Sequence, residues 1–145
     1  MSCRFCEIAA KADYVVFEDD VSLAFLDYRP LFIGHTLLIP KAHYETLADL
    51  PGNLVGPFFG NVQLLARAVE QAMQAEGTFV AINNRVSQSV PHLHVHIVPR
   101  RKKDGLRGFF WPRQSHSNEE DMRQAQNAIR EALVAVSQQN SRKDG

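Results

Sequence analysis

The segment Pro91-His92-Leu93-His94-Val95-His96-Ile97-Val98-Pro99-Arg100 alternates histidine with aliphatic residues at period two. An extended chain reconciles that pattern with burial. Successive side chains of a strand point to opposite faces, so Leu93, Val95 and Ile97 seek a core while His92, His94 and His96 share the other face. Half of the chain's six histidines are concentrated there. A lone strand histidine is ordinarily a satisfied or solvated residue. Three in strict alternation are different, because a solvated face would carry Thr, Lys or Glu and each buried ring needs partners for its nitrogens. The residue type points instead to a general base, a nucleophile or a metal ligand.

The remaining composition narrows the classes. A chain of 145 residues, 45% apolar and 22% charged, is expected to form one domain with a substantial core. Sixteen basic and sixteen acidic residues cancel, which argues against broad electrostatic binding of nucleic acid or membrane. No segment approaches the roughly 18 uninterrupted apolar residues of a spanning helix. Met-Ser-Cys-Arg-Phe-Cys at the start has no apolar stretch suited to a secretory signal, so a cytoplasmic location is expected. The two cysteines, Cys3 and Cys6, would staple only a tiny loop. In a reducing compartment such a pair reads as metal-binding or redox-active. A thioredoxin-like site needs a preceding strand, for which two residues leave no room, so metal is the better reading.

Periodicity gives a coarse element map. Strands are expected over residues 14–17, 22–27 and 34–40, at hairpin-like spacings that imply antiparallel pairing. Phe58, Val62, Leu65, Val69 and Met73 recur every three or four residues and predict a helix over 54–76, closed by Gly77. Further strands are expected over 78–83 and at the histidine run. Met122, Ala125, Ile129, Leu133 and Val136 predict a second helix over 118–139. Ser117 is its expected N-cap, and Glu119 and Glu120 suit its first turn. The whole reads as an α+β fold, one antiparallel sheet of about five strands with two main helices. A single domain spans 1–139, and 140–145 form a frayed tail. With no Walker loop and no Gly-x-Gly-x-x-Gly run, any phosphate chemistry falls to side chains and local backbone amides.

The run Gln88-Ser89-Val90-Pro91-His92-Leu93-His94-Val95-His96-Ile97 resembles the signature of the histidine triad (HIT) family. A second block agrees: Cys3-Arg4-Phe5-Cys6, Phe17-Glu18-Asp19-Asp20, Ala24-Phe25-Leu26-Asp27, and Gly34-His35-Thr36-Leu37-Leu38-Ile39-Pro40-Lys41-Ala42-His43. That arrangement is similar to the bacterial branch carrying paired cysteines, and the resemblance covers residues 3 to about 113.

The resemblance implies a HIT-like fold paired across a two-fold homodimer with one active site per protomer. The implied substrate is a small purine nucleotide conjugate, a phosphoramidate or a dinucleoside polyphosphate. His94 would attack its α-phosphorus to give a nucleotidyl-histidine, from which water releases the nucleoside monophosphate. An imidazole with a pKa of about 6.5 supplies such a nucleophilic nitrogen at neutral pH without a strong base. His96 would hydrogen-bond phosphate oxygens, and Gln88 and Ser89 would contact the phosphate and the leaving group. Asp27 matches the acceptor of the ribose hydroxyls. Phe5, Ile8 and Phe25 match positions lining the base pocket, although each alone is equally an ordinary core residue. Asn83 or Asn84 would meet the α-phosphate. The loop 83–88 is shorter than is usual, and Ser87 stands where a glycine normally precedes the glutamine.

Relatives with the paired cysteines hold Zn²⁺, and the matching ligands here are Cys3, Cys6, His43 and His92. Two sulfurs and two imidazoles make a closed, structural tetrahedral site. His35 would buttress the triad. His116 has no matched role and is expected to be solvated. Phe109-Phe110-Trp111-Pro112 is assigned to the subunit interface rather than to base stacking.

Two rival functions remain at this point. In a zinc hydrolase, His92 and His94 would bind a catalytic metal; one ion cannot use all three rings, because His92 to His96 spans about 13 Å of extended strand. Chelation would abolish that activity. In a non-catalytic nucleotide-binding module, the triad would only grip phosphate, and neither the parent chain nor a His94→Ala variant would hydrolyse substrate.

Overall fold

The computed structural model describes residues 3–11, 13–107 and 114–143. The aromatic run 109–112 lies outside them. Contacts group the chain into one unit ending at Leu106 and a second starting at Arg107, and each is described by itself.

The first unit is built on a five-stranded antiparallel sheet. Its strands are β1 (Val15–Glu18), β2 (Ser22–Leu26), β3 (Thr36–Pro40), β4 (Gly77–Ala81) and β5 (Val95–Arg100), in the order β1-β2-β3-β5-β4. Helix α1 (Arg4–Lys11) precedes β1, and α2 (Gly52–Ala72) joins β3 to β4. The strands β2 and β3 pair in full register, Ser22 opposite Pro40 and Leu26 opposite Thr36. β5 then lies between β3 and β4, with His96 opposite both Leu37 and Ala81.

Alternation sorts the side chains between two layers. Ala24, Leu38, Leu93, Val95 and Ile97 pack against Phe58, Val62, Leu65 and Val69 of α2. Their neighbours Leu23, Phe25, Leu37 and Ile39 form a second cluster with Phe5 and Val90, against which Ile8 and Ala9 of α1 pack. Phe5, Ile8 and Ala9 sit three and four residues apart on one helix face.

Several expected boundaries shift, each for a local reason. Leu93 and His94 precede β5, which begins only at Val95. The His92 N–H bonds the Val90 carbonyl, closing a tight turn at Pro91, and the Leu93 N–H bonds the Tyr44 carbonyl, so this stretch lies outside the ladder. Gly77 does not close α2. The helix ends at Ala72, and Gln74 takes the left-handed conformation (φ 51°). The Ala75 N–H reaches Glu70 O at 2.9 Å and the Gln74 N–H reaches Gln71 O at 3.2 Å, a Schellman closure that frees Gly77 to start β4.

The second unit contains α3 (Glu119–Lys143). Asn118, not Ser117, is its N-cap: Asn118 Oδ1 accepts from the Asp121 N–H at 2.9 Å. Among the described residues, no helix is long and apolar enough to cross a membrane.

Candidate active site

The histidine run turns its rings toward the α1 side of the sheet. His92 and His94 are buried and His96 is half-buried, while Leu93, Val95 and Ile97 are fully enclosed on the α2 side. Rings His94 and His96 stand edge-to-face with centroids 5.0 Å apart. Phe5 of α1 packs edge-on against both His94, at 4.9 Å, and His92, at 6.1 Å.

Hydrogen bonds to backbone groups of known polarity fix the tautomer of each ring. His94 Nδ1 donates to the His92 carbonyl oxygen at 2.7 Å, because a carbonyl only accepts. His94 Nε2 therefore keeps its lone pair. The Leu31 N–H donates to His35 Nδ1 at 3.1 Å, so the His35 proton sits on Nε2 and is given to His96 Nδ1 at 3.0 Å. The His96 proton must then sit on Nε2. His92 Nε2 donates to the Pro40 carbonyl at 2.9 Å, which leaves His92 Nδ1 as a free acceptor or ligand. One ring thus offers a nucleophile, its neighbour a donor, and the third a ligand.

This bookkeeping requires neutral rings, and burial supplies them. Desolvation lowers the pKa of His94, opposed by its bond to the His92 carbonyl and by the Asp27 charge. It lowers His96 to about 4, helped by His94 and His35. It also lowers His35 against the pull of Asp27, and His92 against its bond to Pro40.

A cavity of about 550 Å³ opens beside these rings, within the usual range of small-molecule sites. Phe5, Ile8, Phe25, Asp27, Ser89, His94 and His96 line it, so seven of the residues singled out in the sequence meet around one volume. Asp27 Oδ1 accepts from the Arg29 N–H at 2.9 Å, and its other oxygen lies 3.7 Å from His35 Nε2. Gln88 and Asn83 are absent from this lining. The Gln88 side chain is committed elsewhere, accepting from the Arg85 N–H at 2.9 Å and donating to Glu45 O at 2.6 Å. Asn84 Oδ1 likewise accepts from the Leu47 N–H at 2.9 Å. Arg85 (φ 66°) and Ser87 (φ 61°) both adopt the left-handed region, which accounts for a glycine being the usual residue before the glutamine.

On the far side of His92, the ligand atoms of Cys3, Cys6, His43 and His92 all lie within 4.8 Å of one another. His92 Nδ1 is 3.4 Å from Cys3 Sγ and 3.5 Å from Cys6 Sγ, and His43 Nδ1 is 3.4 Å from Cys6 Sγ. A tetrahedral zinc with usual bond lengths places sulfur and nitrogen ligands about 3.6 Å apart. The quartet therefore fits the ion in both donor type and spacing. Burial, then the neighbouring Cys3, pushes the Cys6 thiol up, so a metal must displace a proton to bind. A second group, Asp27, His35 and His96, also brings ligand atoms within 4.8 Å, but its two ring nitrogens already bond each other. Among the described residues His92 and His94 do not occur together in either group: His92 Nδ1 faces the cysteines, while His94 Nδ1 is bonded to the His92 carbonyl.

The family model described as the HIT domain matches residues 9–103. The chain belongs to the HIT domain family. Among HIT relatives, the protein named Protein hit of Bacillus subtilis is 34% identical over 141 residues, covering 92% of this chain and 96% of that one. An adenylylsulfatase, HINT3, of Arabidopsis thaliana is 36% identical over 108 residues, covering 72% of this chain but only 55% of its own length. A Zn-bound histidine triad protein of Mycobacterium smegmatis superposes with a TM-score of 0.67 at 36% identity, covering 93% of this chain and 98% of that one.

Periodicity and motif both passed over α1, although it supplies a pocket wall and the base of the metal quartet. The signal was present as the Phe5-Ile8-Ala9 spacing. Arg4 and Tyr28 also escaped notice: they line the same cavity, joined by a hydrogen bond, with the guanidinium 5.2 Å from the ring centroid.

Proposed function

We propose that this protein is a nucleotide hydrolase or nucleotidyl transferase that acts at the α-phosphate of a purine nucleotide conjugate through a covalent intermediate on His94. The observation that carries the reading is the His94 tautomer: Nδ1–H is held by the His92 carbonyl, leaving a buried, neutral Nε2 lone pair beside a cavity of nucleotide size. The Nε2 pair forms a bond to phosphorus as the bond to the leaving group breaks. The departing atom takes the electrons and receives a proton from the Ser89 hydroxyl, which lines the same cavity. His96 Nε2–H, directed by His35, donates to a phosphate oxygen as charge develops there. Water then attacks phosphorus and gives up a proton that restores the Ser89 hydroxyl, the N–P bond breaks with its electrons returning to His94 Nε2, and the nucleoside monophosphate leaves. Asp27 accepts from the ribose hydroxyls, and the base lies against Phe5, Ile8 and Phe25. Gln88 reaches phosphate after releasing its bonds to the Arg85 N–H and the Glu45 carbonyl, and Asn83 adds a further phosphate contact.

Zinc held by Cys3, Cys6, His43 and His92 would supply no chemistry to the reaction; it would cross-link α1 to the segment entering β5. A homodimer and a cytoplasmic setting complete the proposal.

The test is a quench of substrate turnover without acid, followed by peptide mapping. Nucleotide is expected on His94. Adenosine 5′-phosphoramidate, diadenosine tri- and tetraphosphate, compared kinetically, then identify the leaving group. Hydrolysis unchanged in His94→Ala would overturn the assignment, and hydrolysis absent from the parent chain would favour a binding module.

A further inference from the structure

We infer that Cys3 and Cys6 form a disulfide-forming modification site for peroxides, and that its closure releases the metal and loosens the nucleotide pocket. The functional half of this inference rests on the nucleotide reading above; the chemical half does not.

The placement of the pair is what suggests it. Glu7 N–H bonds Cys3 O at 3.0 Å, which sets Cys3 as the residue capping α1 and Cys6 within its first turn. A Cys-x-x-Cys at a helix start closes a disulfide while the helix stays intact. Both side chains are half-buried rather than enclosed, so a small oxidant reaches them. A bound metal keeps both sulfurs as thiolates, the form that reacts.

The same four-residue cluster is also the fastening of the active site. His92 is shared: its Nδ1 faces both sulfurs, while its carbonyl fixes the proton on His94 Nδ1. Phe5 lies between the two cysteines in sequence, lines the cavity, and packs on both the His92 and His94 rings. Removing the ion leaves α1 joined to His43 by a weak sulfur contact and to His92 by weak sulfur contacts and the edge of Phe5. Motion of Phe5 and of the His92 carbonyl then disturbs the base pocket and the nucleophile together.

The chemistry balances as two steps. One thiolate attacks the peroxide oxygen, the O–O bond breaks, and a sulfenic acid and hydroxide form. The second thiolate attacks the sulfenic sulfur, the S–S bond forms, and a second hydroxide leaves. The two hydroxides balance the charge of the released Zn²⁺ and are neutralised by buffer. Two electrons pass from the sulfurs to hydrogen peroxide.

Zinc-loaded full-length protein is treated with hydrogen peroxide and followed by intact mass, by a metallochromic indicator, by hydrogen exchange and by AMP binding. Expected results are a Cys3–Cys6 disulfide, release of one zinc per chain, faster exchange in α1 and around His94, and AMP affinity about tenfold weaker. Dithiothreitol with zinc reverses all four. Cys3→His and Cys6→His keep a zinc-binding donor but cannot form the disulfide, and are expected to hold zinc through the same treatment. Should neither variant take up zinc, mass and zinc release in the parent chain decide. Zinc retained with both thiols intact, sulfinic acid without a disulfide, or a disulfide with exchange unchanged around His94 would each overturn the inference. If the parent chain binds no nucleotide before oxidation, the nucleotide reading fails, while mass, zinc and exchange still judge the switch.

Discussion

The two faces of the sheet carry residues of the same strands and obey opposite rules. Toward α2, the inward positions of the histidine run are aliphatic: Leu93, Val95 and Ile97 meet Phe58, Val62 and Leu65, while the buried Ser22 on the same face accepts from Asn61 of α2 at 2.7 Å. Toward α1, the alternate positions of the same run are imidazoles, each needing a specific partner, and the layer is left open as a cavity. One face stabilises chiefly through apolar burial. The other accepts the desolvation of three histidines, and the backbone carbonyls of Pro40 and His92 and the amide of Leu31 offset it. Damage on one side should therefore cost folding, and damage on the other should cost chemistry.

The sharpest test of that separation is His94→Ala. Turnover is expected to fall about 10⁴-fold or more. Stability should drop by only about 1–3 kcal/mol, since the lost ring borders a cavity and frees one carbonyl. Steady-state kinetics beside a urea melt checks both halves; a melt shifted as far as that of a core truncation would merge the two faces.

Phe58→Ala is the opposite case. Phe58 is 1% exposed within the α2 layer. Its truncation is expected to cost about 3–5 kcal/mol. Turnover per folded molecule should be unchanged when measured against active sites titrated with substrate.

Much of this division can be read from the sequence, and for a simple reason: period two in the run 92–97 assigns each side chain to a face before any coordinate is known. The hydrophobic spacing from Phe58 to Val69 likewise marks α2 through its strongest signal. What escaped depends on backbone partners, which side-chain patterns do not record. The start of β5 at Val95 reflects the Leu93 N–H bonding Tyr44 instead of a strand. The commitment of Gln88 to Arg85 and Glu45 is a loop contact with no periodic trace. α1 is eight residues long, too short for periodicity to outweigh its motif.

Acid should act on the imidazole face first. His96 titrates at about 4 in the fold, below the 6.5 of an ordinary histidine. The unfolded chain therefore binds the proton first, and stability falls as pH drops from about 6.5 toward 4. Each such ring contributes up to about 1.4 kcal/mol per pH unit in that window. Urea midpoints measured from pH 7 to 4.5 should decline, and His96→Gln should flatten part of the slope. An equal slope in that variant would place the acid sensitivity elsewhere.

The smallest expected effect lies in the loop 83–88. Ser87→Gly relieves a left-handed side-chain residue at φ 61° and is expected to add about 1 kcal/mol of stability. A urea midpoint that fails to rise would show that the serine hydroxyl compensates its backbone.

The alternation of the run 92–97 also constrains how such a sequence can vary. Exchanging one aliphatic residue for another, or one ring for a polar group, changes a single layer. Inserting or deleting one residue between Leu93 and Ile97 inverts the entire segment, driving imidazoles into the α2 layer and aliphatics into the cavity. Length here is thus held by two independent demands at once, and lineages can explore this stretch by replacement but not by frameshift-sized steps.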